Sequence, residues 1–148
     1  MKTKEFIELG QQMLRSFQIG KTEEAKQLAF TYLKIAESKK ENWNYGNAIH
    51  QANIILGKIA LQEGLTEEAK EYLKAAGSTP GSPQLNSFGP NMSLAKALIE
   101  LGETEAAIEF IDSSKQYWKW IFSWRKTRKW KKEIGNGVIP QFGANLNY

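Results

Sequence analysis

The chain offers one imidazole for acid–base or metal chemistry and nothing beside it that such chemistry needs. His50 is the only side chain whose ordinary pKa lies near neutral pH, and its neighbours Asn47, Gln51 and Asn53 are amides that do not ionise. Cysteine is absent, which removes disulfides, thiolate metal ligands and a thiol nucleophile. One histidine without a close pair of carboxylates makes neither a zinc set nor a catalytic triad. No phosphate loop, dinucleotide fingerprint or zinc motif occurs. His50 is therefore expected to be a structural or surface histidine. The chain is expected to be non-enzymatic, with no catalytic residue, no metal site and no cofactor.

Binding chemistry is concentrated instead at residues 117–132, where Tyr117, Trp118, Trp120, Phe122, Trp124 and Trp130 are interleaved with lysine and arginine. From Asp112 to Glu133 there are eight basic residues against two acidic ones, and the rest of the chain holds 12 basic and 14 acidic. The net charge of +4 thus arises from one C-terminal segment on a mildly acidic body. On a continuous helix Tyr117, Trp120, Ile121 and Trp124 would share one face, and Trp118, Phe122, Arg125 and Lys129 another. That is more aromatic surface than one narrow core stripe uses. The leading reading is a helix that caps the exposed end of the body, with lysine stems over the Trp edges. The alternative is a nucleic-acid surface, in which Arg125, Lys126, Arg128 and Lys129 meet phosphates while Trp124 and Trp130 stack on unpaired bases. A protein-docking surface also suits Trp and Arg. A membrane interface is the least expected partner of the four.

Positioning falls to helices. The phrase Gly64-Leu65-Thr66-Glu67-Glu68-Ala69 has two close copies, Gly20-Lys21-Thr22-Glu23-Glu24-Ala25 and Gly102-Glu103-Thr104-Glu105-Ala106-Ala107. Each lies between stretches of helical periodicity, so each reads as the turn of a helical hairpin. Glycine ends one helix in the left-handed conformation, threonine caps the next, and glutamate suits the positive end of the new helix dipole. The apolar pattern predicts helices over 4–18, 22–38, about 43–63, about 66–76 and 92–101. Gly46 and Gly57 lie inside the third. Each costs about 1 kcal/mol relative to alanine, which calls for a neighbouring helix in close approach. A sixth helix starts at Thr104, with a break expected near Ser113-Ser114 or Ser123 because the apolar pattern changes after Ile111.

Between the fourth and fifth helices the three prolines and two glycines of 78–91 predict a non-helical loop, with Leu85 and Phe88 tucked onto the body and Asn91 as N-cap. A shorter echo, Phe142-Gly143-Ala144-Asn145 against Phe88-Gly89-Pro90-Asn91, closes the chain. Phe142, Leu146 and Tyr148 are expected to dock this terminus.

This arrangement resembles the tetratricopeptide repeat family, a helix–turn–helix of about 34 residues with a turn glycine and small residues where helices pack. With Gly64 as turn glycine, Leu56-Gly57 falls on the family's Leu-Gly pair, Ala69 on its packing alanine, Leu73 and Ala76 on later positions, and Pro80 near the closing proline. A third unit fits at Leu94-Ala95, Leu98, Gly102, Ala107 and Ile111, and a first at Gly20 and Ala25. The turn glycines are 44 and 38 residues apart, so each unit carries an insertion. The resemblance implies an all-α, right-handed superhelix of about three hairpins with a concave face for a peptide or partner protein. Gln51, Ile54, Ile55, Lys58, Leu61 and Gln62 would face that groove from one unit, and Met92, Ser93, Lys96, Ile99 and Glu100 from the next. Lys58 and Lys96 would be polar anchors, Ile54, Leu61 and Met92 the apolar floor, and Phe88 the anchor of the shaping loop. Two lysines are fewer than the several Lys, Arg and Asn residues of the family's chaperone-binding clamp, so that function is not implied.

The expectation is thus one domain over 1–148, with units at about 4–38, 43–77 and 90–114 and a capping segment at 115–148. The 148-residue chain is 41% hydrophobic and 24% charged, ordinary for a globular core of that size. Its start is amphipathic, unlike a signal peptide, and no apolar run approaches about 20 residues. A cytoplasmic location is expected. Oligomeric state leaves no signal in the sequence.

Overall fold

The computed structural model describes residues 1–147, which form eight α-helices and no strand. In order they are α1 (Thr3–Gln18), α2 (Thr22–Glu37), α3 (Tyr45–Gln62), α4 (Thr66–Gly77), α5 (Pro83–Phe88), α6 (Ser93–Glu100), α7 (Thr104–Ser113) and α8 (Ser123–Gly135). The break expected in the last long helix is real. A 3-10 turn at Ser114–Gln116 ends α7, and irregular chain follows before α8. Tyr117 through Phe122 are therefore not helical, and the two aromatic faces expected there do not exist.

Gly20, Gly64 and Gly102 adopt φ of 82°, 76° and 84°, the left-handed region that glycine enters without steric cost. Each closes the same pair of bonds. Gly20 N–H donates to Phe17 O (3.1 Å) and Lys21 N–H to Ser16 O (2.9 Å). The equivalents are Gly64 to Leu61 with Leu65 to Ala60, and Gly102 to Ile99 with Glu103 to Leu98. The residue after glycine thus finishes one helix and also precedes the next, so Lys21, Leu65 and Glu103 occupy the cap positions. Threonine is displaced to the first helical residue and caps nothing with its side chain, contrary to the sequence expectation.

The hairpins α1–α2, α3–α4 and α6–α7 pack in chain order, α2 on α3 and α4 on α7, with α8 against α7. One buried cluster joins α1, α2 and α3 around Phe6, Met13, Tyr32 and Leu56, and a second runs through Leu73, Leu94, Leu98, Phe110 and Ile111 to the C-terminal aromatics. Tyr72 touches both. Both helical glycines of α3 are contact points: a Cβ on Gly57 would strike the Leu94 side chain, and one on Gly46 the carbonyl oxygen of Gly81.

Residues 78–92 depart from the expected loop. Ser82 Oγ accepts the Leu85 N–H at 3.0 Å and Pro83 supplies the first helical position, where a missing N–H costs nothing, so the short helix α5 forms despite the prolines. Leu85 is buried, but Phe88 is 65% exposed and is not tucked into the core. Gly89 (φ 81°) takes the place against the protein by laying its backbone on the Trp118 indole. Asn91 Oδ1 accepts the Ser93 N–H (2.9 Å), a capping bond made from one residue before the geometric cap, Met92.

The two Phe-Gly-x-Asn segments lie together. Asn145 Nδ2 donates to the carbonyls of Phe88 and Pro90 (both 3.0 Å), and Met92 N–H donates to Asn145 O (2.7 Å). Asn145 therefore serves distant backbone, while Asn91 serves its own. Phe142 is buried edge-on against Trp130, 5.1 Å between ring centres, and Leu146 packs beside it, so the terminus is docked as expected. Tyr148 lies outside the described residues.

Gly46→Ala should cost about 3 kcal/mol, the upper end for overpacking, because a backbone carbonyl cannot rotate away. Gly57→Ala should cost about 1 kcal/mol, since the Leu94 tip can turn and alanine recovers helix propensity. Urea unfolding of the two variants against the parent checks the order.

Candidate functional site

A groove of about 510 Å³ opens between α1 and α3, within the range of ligand pockets. Leu14, Phe17 and Gln18 face it from α1, at the i, i+3, i+4 spacing that puts side chains on one helix face. Gln51, Ile54, Ile55, Lys58 and Gln62 face it from α3 by the same rule, and Asn91, Leu146 and Asn147 close the far side.

Five of the six residues expected on the α3 face are in this lining. Leu61 is turned to the core instead, and Met92 is fully buried with its N–H bonded to the C-terminal segment. Met92 therefore cannot form a groove floor, because packing of α6 on the terminus removes it from solvent. Lys96 on α6 is half-exposed and outside the groove lining. Sequence reasoning missed the contribution of α1 and of the terminus. The i, i+3 apolar spacing of Leu14 and Phe17 was visible, but it does not say which helix lies opposite.

Lys58 is half-buried. Its ammonium donates to Ser93 Oγ (3.2 Å) and lies 5.2 Å over the Phe17 ring. Burial pulls its pKa below the usual lysine value, and it has no carboxylate partner among the described residues. The polar chain runs inward from there. Ser93 Oγ donates to Asn91 Oδ1 (2.6 Å), and the Asn91 N–H donates to His50 Nε2 (3.0 Å). Since Nε2 accepts, the ring proton is on Nδ1, where it donates to Ala76 O at 3.1 Å.

His50 is thus a satisfied structural histidine, as the sequence suggested, but its partners are remote backbone groups. Beside it Asn47 Nδ2 donates to Asn44 Oδ1 (3.1 Å) and Gln84 Oε1 (3.0 Å), while Ser82 donates to Asn47 Oδ1 (2.5 Å). Among the described residues no group of three or more His, Asp or Glu side chains is placed to hold a metal ion.

The segment considered for nucleic acid is split by the fold. Trp130 is buried, stacked on Trp118 at 5.8 Å between ring centres, and is not available to a base. Trp124, Arg125, Lys126, Arg128 and Lys129 are exposed. Lys131 turns back to Asp112 at 2.7 Å, tying α8 to α7.

Helical hairpins turned by left-handed glycines, with a small residue at each close crossing, define a helical-repeat protein. A family model described as tetratricopeptide repeat matches residues 50–76, the greater part of the α3–α4 hairpin, and supports a tetratricopeptide-type repeat there. The matched stretch begins at His50 and ends at Ala76, the pair joined by the imidazole bond. No curated protein and no solved structure matches the chain. Such repeats are protein–protein interaction motifs, and the family serves generally as a non-enzymatic scaffold. No helix among the described residues is long and apolar enough to cross a membrane.

Burial holds His50 down to about 4, against the upward pull of the Ala76 carbonyl. The unfolded chain binds this proton near the ordinary value of 6.5 and the folded chain refuses it, so stability falls as pH drops from 6.5 towards 4. The loss from this group between pH 7 and 5 should be about 2 kcal/mol. Urea titrations at the two pH values should show it, and His50→Gln should show a flatter pH dependence on a lower baseline.

Proposed function

We propose that the groove between α1 and α3 receives an extended peptide or partner helix that presents a carboxylate to Lys58. The protein is then a non-enzymatic interaction module of one domain. The observation that supports this is a half-buried ammonium with no carboxylate partner among the described residues, set above an apolar floor of Ile54 and Phe17. Placing a cation there costs desolvation energy that Ser93 and the Phe17 ring offset only in part. A bound carboxylate completes the pair in a setting with little competing water, where a charge-assisted hydrogen bond is strong. Gln51 and Gln62 offer amides to the backbone of an extended ligand. Phe88, exposed beside the α5 turn, adds an apolar contact at the edge instead of anchoring the loop.

Lys96 contributes from outside the groove, to a longer ligand that runs onto α6. The right-handed stacking and three units expected of the repeats, with α8 as cap, are the frame in which this groove is the concave side.

The test is fluorescence anisotropy against a peptide panel in which each sequence carries either a free or an amidated C-terminus. Lys58→Met keeps the stem and removes the charge. It should weaken the best free-acid peptide about tenfold or more, as expected for a buried charge-assisted contact, and abolish the preference over the amide. Equal affinity of parent and variant for both forms would sink the reading.

A further inference from the structure

The irregular turn before α8, none of whose residues lines the groove, presents Trp120, Ile121, Phe122 and Trp124 to solvent, with Ile121 72% and Trp124 54% exposed. The turn is built and held. Trp118 at its base is buried against Trp130, Lys119 N–H donates to Asn86 O (2.9 Å), and Ser123 N–H donates to Trp120 O (3.0 Å). Contiguous apolar side chains raised on a supported turn mark a surface that meets something.

The charge around it says what. Helix α8 buries Thr127, Trp130 and Ile134. At 100° per residue the opposite face carries Arg125, Arg128, Lys129 and Lys132, a ridge about 10 Å long leading away from the tip. Lys119, Arg125, Lys126, Arg128 and Lys132 have no carboxylate partner among the described residues. From residue 115 to 132 the chain has no acidic residue at all.

Single-stranded nucleic acid would use the same cations, but it also needs open ring faces. Each of the exposed rings already has a cation over a face. Trp118 lies stacked on Trp120, Lys126 Nζ sits 5.3 Å over the Trp120 ring, and the Arg125 guanidinium covers both Phe122 (5.1 Å) and Trp124 (5.3 Å). The most exposed side chain of the tip is the aliphatic Ile121, on which a base cannot stack. An apolar tip ringed by Trp, with cations beside it, instead matches the boundary between acyl chains and anionic headgroups.

We propose that this surface docks the protein peripherally on an anionic lipid membrane, with Ile121, Phe122 and Trp124 dipping below the headgroups and the α8 ridge lying along them. The order of partners drawn from sequence is thereby reversed, because the turn lifts out side chains that a continuous helix would have divided between two faces.

Flotation of the full chain with phosphatidylglycerol–phosphatidylcholine vesicles, against pure phosphatidylcholine vesicles, tests this. The anionic vesicles should carry the protein, shift its Trp emission to the blue and weaken their hold as salt rises. Ile121→Asp should abolish the blue shift. Arg128→Gln with Lys132→Gln should weaken partition about 25-fold, fivefold per cation. Both variants should melt with the parent, since the altered side chains are exposed. Absence of vesicle binding at low salt overturns the proposal. So does vesicle binding that Ile121→Asp leaves unchanged, and so does binding to a labelled oligothymidylate in place of vesicles.

Discussion

A neutral imidazole with both nitrogens engaged ties together three parts of this chain. Nδ1–H holds the carbonyl of Ala76 at the end of α4, and Nε2 holds the amide of Asn91 where the chain enters α6. The carbonyl near a helix end and the amide in an irregular connection would each be costly to bury without a partner. His50 satisfies both from inside α3, and the ring also stacks on Phe110 at 6.0 Å. The connection of 15 residues between α4 and α6 is thus not a loose excursion but a layer bonded down onto α3. Asn47, Ser82 and Gln84 continue that layer, and Gly46 lets it approach to backbone contact.

The groove inherits its shape from this layer. Asn91 faces His50 with its backbone and Ser93 with its side chain, and Ser93 receives Lys58. The groove cation is therefore linked through four hydrogen bonds to the Ala76 carbonyl at the end of α4. The C-terminal segment reinforces the same corner, since Asn145 satisfies the carbonyls of Phe88 and Pro90 while Leu146 lines the groove. Groove lining and packing are here one hydrogen-bonded unit.

The basic segment shows how irregular backbone divides a composition between structure and surface. Trp118 and Trp130 join the core with Phe142, whereas Trp120 and Trp124 remain outside under their own cations. A pair of stacked or edge-on rings adds about 1 kcal/mol beyond burial, so the aromatic trio that fixes α8 and the terminus is a substantial local contribution.

The helices other than α5, the glycine turns and the break after Ile111 were readable in the chain, because they rest on local rules: 3.6-residue periodicity, the left-handed freedom of Gly20, Gly64 and Gly102, and loss of pattern. Close packing at Gly46 and Gly57 was readable as a need, though not its partners, Gly81 and Leu94. The helical period also put Gln51, Ile54, Ile55, Lys58 and Gln62 together on one face of α3. What only tertiary structure decided involves residues distant in sequence. Met92 left the groove because Asn145, 53 positions later, claimed its amide. Phe88 lost its anchoring role to Gly89 because the Trp118 indole needed a surface with no side chain. Leu14 and Phe17 became groove wall because α1 happens to lie across α3. Local chemistry sets which faces exist; which of them remain open to a partner is settled by long-range packing, where one distant hydrogen bond or ring can outweigh a side chain's own preference.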